Sequence, residues 1–256
     1  MTAKEGSVAV VTGAASGIGA AIVQLLLKEG VKVLAADLHT EALSDLAASS
    51  AGAVAAVRTD ITDRQSVSDA IGTAVDRFGR IDQLFNVAGG AKFGAILDGQ
   101  ITDWTDTVAL GLTGTYLMTR FTAEVMRGNR DGGSIVNVSS LNAHVPLFGG
   151  SSYSAAKAGT ENFTKSAALE LARHKIRVNA VLPGLVNTPL VENMLANDAL
   201  ERDFLSRIPL GVPASAEQIA RPCLFLAGDG AAYITGTSLV VDGGWEISNY
   251  PDMQHY

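Results

Sequence analysis

The chain has a single cysteine, Cys223, among 256 residues, so no intrachain disulfide can form and a reducing compartment is expected. That thiol lies in the apolar run Cys223-Leu-Phe-Leu-Ala227, which points to a buried core side chain rather than a nucleophile. Positive charge is also short. Lys and Arg number 19 against 26 Asp and Glu, the net charge is -7, and no basic cluster offsets it locally. A polyanion partner such as nucleic acid is therefore not expected. Long apolar runs are missing. The stretch that follows residues 1–6 is only a few apolar residues long, so neither a signal peptide nor a membrane span is expected, and a soluble, cytoplasmic protein is. The four histidines, His39, His144, His174 and His255, show no ligand spacing, so no metal is expected. Repeats, low-complexity tracts and linkers are lacking too, which leaves one domain over residues 1–256.

What is present is a core: 47% of residues are hydrophobic and 18% charged. Ser7-Val-Ala-Val-Val11 reads as a short buried strand, followed at once by Thr12-Gly-Ala-Ala-Ser-Gly-Ile-Gly19 and an amphipathic run, Ala20 to Glu29, that stops at Gly30. Strand, glycine turn and helix in that order suit a dinucleotide. Gly13 lets the chain turn, Gly17 lets backbone approach a pyrophosphate, and Gly19 lets the helix pack on the strand, with Ser16 and Ile18 between them. The helix N-terminus then offers free N–H groups and a favourable dipole to the phosphates. The next strand, Val31 to Ala36, ends at Asp37. A carboxylate there accepts hydrogen bonds from the ribose hydroxyls and repels a 2′-phosphate. Leu38 follows it, and the glycine turn holds no Arg, so NAD is expected over NADP. The competing reading makes Asp37 a cap for the helix that starts near Glu41.

Alternation continues. Ala53 to Arg58 reads as a strand whose end, Asp60-Ile61, is placed to bracket the adenine. Asp63 to Phe78 reads as a helix, and Ile81 to Phe85 as a fourth strand leading into Asn86-Val-Ala-Gly-Gly90. The small residues Ala88 and Gly89 let the chain pass close to a flat ligand. Strands alternating with helices imply an α/β domain with a doubly wound parallel sheet and helices on both faces.

The stretch from Ser139 to Lys157 follows an apolar run, Ser134-Ile-Val-Asn-Val138, and opens a long helical pattern. On that helix Tyr153 and Lys157 share one face, a turn apart. A fixed cation favours the ionised phenol, and such a tyrosine can take a proton from an alcohol or give one to a carbonyl. Ser140 falls at the carboxyl end of the preceding strand, where open α/β sheets place their ligands. Taken alone, Tyr-x-x-x-Lys also fits an ordinary exposed helix face.

Thr12-Gly-x-x-x-Gly-x-Gly19, Asn86-x-Ala-Gly89, Ser140, Tyr153-x-x-x-Lys157, Pro183-Gly184 with Thr188, and Asp242-Gly-Gly244 occur in one order. With these the chain resembles a short-chain dehydrogenase/reductase nearly end to end. The spacing to Tyr153 that this family uses selects Ser140 over Ser139. The resemblance implies a Rossmann-type fold of about seven strands and hydride transfer between a nicotinamide and a secondary alcohol or ketone. It implies that Tyr153 is the general acid/base, that Ser140 holds the substrate oxygen, and that Lys157 holds the nicotinamide ribose and lowers the Tyr153 pKa. By the same resemblance Asn86 and Val186 are cofactor contacts, and Pro183, Gly184 and Thr188 seat the carboxamide end. A homo-oligomer is also implied, a tetramer built of dimers, paired through the helices beginning near Asp106 and Tyr153; those faces would otherwise only cover the sheet. One position departs. After Trp104, Gly111 stands where the family has an Asn that helps hold a water near the lysine. Either the backbone carbonyl suffices and glycine preserves it, or the amide is required and its loss slows proton relay or leaves a cofactor-bound non-enzyme; with Ser140, Tyr153 and Lys157 all intact, retained activity is expected.

Substrate choice is expected from Ser140, Asn142, His144, Phe148, Tyr153, Leu185, Val191, Met194 and Leu195, with Leu141 and Gly90 to Phe93 beside them. Residues 189–213 carry helical apolar spacing and read as a lid or as a packed surface helix. His144 reads as a hydrogen-bonded loop histidine more readily than as a proton shuttle. The mostly apolar set suits a small, cyclic or aryl secondary alcohol better than a phosphorylated sugar. The tail, residues 246–256, is polar and reads as a frayed end or an arm to a neighbouring subunit. The expected activity is that of an NAD-dependent alcohol dehydrogenase. The alternatives are a 3-oxoacyl-thioester reductase and a non-catalytic NAD-binding regulator.

Overall fold

In a computed structural model, which describes residues 6–248, seven of the apolar runs become parallel strands. They are β1 Val8–Thr12, β2 Lys32–Asp37, β3 Val54–Arg58, β4 Gln83–Asn86, β5 Gly133–Val138, β6 Ile176–Pro183 and β7 Ser238–Val241. They form one sheet in the spatial order 3-2-1-4-5-6-7. The helices are α1 Gly17–Lys28, α2 Glu41–Ser49, α3 Arg64–Phe78, α4 Ile101–Val108, α5 Gly114–Met126, α6 Ser151–Leu171, α7 Glu192–Leu195, α8 Asp198–Ser206 and α9 Ala216–Ala227.

The strands read as continuous apolar runs because both sheet faces are covered. Ala9, Val11, Val33, Ala35, Phe85 and Val136 pack with Ile22 and Leu26 of α1 and Ile219 and Leu224 of α9. Their alternates Val10, Leu34, Leu84, Ile135 and Val178 pack with Ile71 of α3, Met118 and Met126 of α5 and Ala167 of α6. Each large side chain so buried contributes about 1.5–3 kcal/mol. Cys223 belongs to the α9 layer, and burial pushes its thiol up to about 12, so it stays protonated as a core residue. Helix starts follow local capping chemistry: Asp63 accepts from the Gln65 and Ser66 amides, and Ser215 forms a capping box with Gln218. The cap of α2 is Thr40, not Asp37.

The strand order reverses between β1 and β4, which opens a crevice outside their carboxyl ends. The stretch expected to be one helix from near Asp106 is two. α4 and α5 are joined by a π turn, Ala109–Thr113, with Gly111 buried at its middle. There the Gly111 carbonyl accepts hydrogen bonds from the Thr115 and Thr160 hydroxyls, each at 3.0 Å.

Candidate active site

The cleft begins at the glycine turn. Gly13 sits at φ +64°, and a Cβ there would lie 2.9 Å from the Ala88 backbone, so the β1 and β4 loops touch only because that side chain is absent. Ser16 leads into α1 in extended conformation without a side-chain cap, which leaves the first amides of the helix turned to the cleft. Gly13, Ser16, Gly17, Ile18, Asp37, Leu38, Asp60, Ile61, Ala88, Gly89 and Thr188 line this half. The Asp37 carboxylate accepts from the Ala15 amide and the His39 amide, both at 3.0 Å, which fixes it against the glycine turn. Asp60 is held by the Thr62 hydroxyl at 2.6 Å and its amide at 2.9 Å, and these bonds keep its carboxyl below the usual range. A free helix N-terminus and a carboxylate one strand over fit a dinucleotide.

The second half of the cleft shares Ile18, Val87, Gly89, Thr188 and Leu190 with the first and holds Ser140, Tyr153, Lys157, Pro183, Gly184 and Val186. Ser140 ends β5 and opens a short 3-10 turn, Leu141–Ala143, where its hydroxyl accepts from the Asn142 amide at 3.1 Å. Tyr153 lies in the first turn of α6 and shares a side-chain hydrogen bond with Ser140. Lys157, one turn on, donates to the Val138 carbonyl at 2.8 Å, and its Nζ lies 5.6 Å from the centre of the Tyr153 ring.

Burial pushes the Tyr153 phenol up, opposed by the Ser140 hydrogen bond. The Lys157 ammonium is engaged with a strand-end carbonyl on the ring side, and burial lowers its own pKa to about 8. The Ser140 hydroxyl is thus the group that favours the phenolate. A phenol, a hydroxyl and an ammonium brought together at one end of a cleft can hold an alcohol oxygen and exchange its proton.

Two expected cofactor contacts lie outside the cleft. Asn86 is buried and donates to Asn137 at 2.8 Å and Thr119 at 3.1 Å, a core network between β4, β5 and α5. Gly19 lies under the turn, where a Cβ would collide with the Gly13 carbonyl at 2.0 Å, so it packs against the loop rather than a ligand. Of the expected substrate residues, Asn142, Leu185 and Val191 line the cavity with Ser140 and Tyr153. Phe148 is 93% exposed and points away. His144 is engaged with Glu161 and Glu246, and Leu195 does not reach the cavity. The Met194 side chain and residues 249–256 of the tail lie outside the described part of the structure. Sequence reasoning missed Val145, Pro146, Leu147, Phe204 and Trp245, which close the cavity. The available signal was Trp245 directly after two left-handed glycines, Gly243 at φ +67° and Gly244 at φ +90°. Within residues 189–213, Leu190, Val191 and, from α8, Phe204 contribute to the cavity wall.

A family model described as Enoyl-(Acyl carrier protein) reductase matches residues 13–246. The 3-oxoacyl-(acyl-carrier-protein) reductase FabG of Thermotoga maritima is 38% identical over 246 residues, 95% of this chain and 99% of the relative. The 2,5-dichloro-2,5-cyclohexadiene-1,4-diol dehydrogenase LinX of Sphingobium indicum is 39% identical over 247 residues, 94% of this chain and 97% of the relative. The crystal structure of gox2181 superposes with a TM-score of 0.90 at 30% identity, covering 95% of this chain and 97% of that one.

Proposed function

The chain belongs to the short-chain dehydrogenase/reductase family, and from that premise we propose that it interconverts a small cyclic or aryl secondary alcohol and its ketone with NAD. The observation that carries this reading is the cavity itself. Its walls are Phe93, Leu147, Leu185, Leu190, Phe204 and Trp245, and its polar groups gather at Ser140, Asn142, Tyr153 and Lys157. Such a lining desolvates an apolar ring and leaves one oxygen to be recognised. LinX, by its name, acts on a cyclohexadiene diol.

When bound, the nicotinamide supplies the hydride acceptor or donor. The glycine turn and the N-terminus of α1 would hold its phosphates, and Asp37 its adenine ribose, where a carboxylate disfavours a 2′-phosphate. Ser140 orients the substrate oxygen by hydrogen bonding. Tyr153 gives its proton to a ketone oxygen or, as phenolate, accepts the proton of an alcohol. Because burial raises the phenol, the acid form dominates near neutral pH; ketone reduction is favoured there and alcohol oxidation climbs as pH rises.

The similarity to FabG supports a second reading, a 3-oxoacyl-thioester reductase. Against it stand Asp37, the net charge of -7, and a cavity whose described lining has Lys157 as its one cation, with no basic rim for a phosphorylated carrier arm. A third reading, a non-catalytic NAD binder, rests on Gly111. One experiment separates them. Purified protein is assayed with NAD, NADP and their reduced forms on a panel of cyclic and aryl secondary alcohols, the matching ketones and a 3-oxoacyl thioester. The expected result is NAD-dependent turnover of a ring alcohol. Tyr153→Phe should lose about 10²–10⁴-fold in turnover with unchanged NAD affinity. Faster thioester reduction with NADPH overturns the first reading in favour of the second. NAD binding without turnover on any substrate favours the third.

A further inference from the structure

His144 does not itself line the cavity, yet its neighbours Asn142 and Val145 both do. Its ring is held from two sides. Nε2 lies 2.8 Å from Glu161 Oε2 on α6, and Nδ1 lies 2.5 Å from Glu246 Oε1 in the turn Trp245–Ile247. A carboxylate only accepts hydrogen bonds, and a neutral imidazole has one N–H to give. Two carboxylate partners therefore require both ring nitrogens to be protonated, and the ring is a cation.

The two acids belong to opposite walls of the site. Glu161 is on the helix that carries Tyr153 and Lys157, and its other oxygen takes Lys165 Nζ at 2.9 Å and the Ser238 hydroxyl of β7 at 3.0 Å. Glu246 follows Trp245, whose ring lies edge-on to Phe204 at 5.7 Å. Both rings face the cavity. The same segment is tied to the far side of α8, since the Ser248 hydroxyl donates to the Arg207 carbonyl at 2.6 Å and the Leu210 amide to the Gly243 carbonyl at 3.1 Å.

Building on the alcohol dehydrogenase reading, we propose that His144 is a positioning residue for substrate, a cationic clasp between Glu161 and Glu246 that holds the Trp245–Phe204 wall over the catalytic helix. Loss of its second proton leaves two acids facing an imidazole that can satisfy one of them, and the wall loosens. Among the described residues, the charged groups around the ring are Glu161 and Lys165 from α6 and Glu246 from the turn, with Asp242 behind it accepting the Glu246 amide. The loop itself, residues 141–150, carries no other titratable side chain. Burial alone disfavours the cation, but the bonds to Glu246 and Glu161 outweigh it and raise His144 above its usual 6.5. The clasp is thus closed at neutral pH and opens as pH rises through that raised value.

The test uses the full chain with Trp104→Phe, which leaves Trp245 as the one tryptophan. Its fluorescence is followed from about pH 5.5 to 9, a range that spans histidine titration. A single transition with a midpoint above 6.5 is expected, absent in His144→Gln and shifted down in Glu246→Gln. With the alcohol that turns over best, KM should rise roughly tenfold across the same transition, while the climb of kcat with pH that Tyr153 sets should be the same, within about twofold, in the parent and in His144→Gln. In His144→Gln, KM should be high and flat with pH. If His144→Gln does not fold, Glu246→Gln carries the test alone. A flat wild-type fluorescence profile overturns the clasp, as does a transition that survives His144→Gln. A variant that loses kcat, KM and thermal stability together at every pH also overturns it, as a merely structural role. The fluorescence arm needs no turnover: if no alcohol reacts but the transition depends on His144, the clasp stands and the activity reading falls.

Discussion

Lys157 shows how burial sets the terms for a single residue. It is 4% exposed, bonded to one carbonyl, and its pKa falls from 10.5 to about 8. The folded value lies below the unfolded one, so the unfolded chain binds this proton more tightly and the charge opposes folding. That penalty is fully present below pH about 8, fades between about 8 and 10.5, and is gone above. Lys157→Met should therefore be more stable than the parent at pH 7 by on the order of 1–3 kcal/mol, with the gain shrinking as pH rises through that window. Urea unfolding at neutral and at alkaline pH measures it. A variant less stable at pH 7, or a gain that ignores pH, would sink the idea. A side chain kept at such a cost to stability has a role in the site rather than in the fold. The tyrosine and lysine were legible in the sequence as a spaced pair. Their electrostatics were not, because desolvation depends on what covers a group, and the cover comes from elements far along the chain, β5 and β6 among them.

Among elements, the junction of α4 and α5 departs furthest from its expected form. A π turn places Gly111 against α6, where an added Cβ would meet the Ala156 Cβ at 3.1 Å. Its carbonyl accepts from the Thr115 hydroxyl and from the Thr160 hydroxyl, which also reaches the Ala156 carbonyl at 2.9 Å. Glycine here eases the close packing of two helices. Gly111→Asn should thus lower stability by about 1–3 kcal/mol through overpacking and bring no gain in turnover. Thermal unfolding and a rate assay check this, and an equally stable, faster variant would refute it. The boundaries of most elements were readable because period and capping are local: Asp63 and Gly79 bracket α3 within the expected Asp63 to Phe78. The π turn was not, since it depends on which residue of another helix lies opposite.

At the scale of the molecule, one cleft runs along the carboxyl ends of the strands, from Asp37 to Trp245. A ligand that fills it touches loops from both halves of the sheet, so binding should stabilise the whole domain. NAD at about 100 times its dissociation constant adds about 2.7 kcal/mol, which for a chain of this size raises Tm by roughly 5–10 °C. NADP should give a much smaller shift, and Asp37→Asn should narrow the difference. Differential scanning fluorimetry reads both, and an equal or larger shift with NADP would refute the role given to Asp37. No described helix is long and apolar enough to cross a membrane.

By itself the sequence determined the alternation of strands and helices, the glycine turn and the order of Ser140, Tyr153 and Lys157, because these follow from period, backbone freedom and spacing along one chain. The tertiary structure decided the rest. It assigned Asn86 to the core, moved Phe148 to the surface, brought Phe204 and Trp245 to the cavity and set His144 between two acids. Those outcomes depend on contacts between residues far apart in the chain, and neither the distance nor the desolvation of such pairs is written in any local pattern.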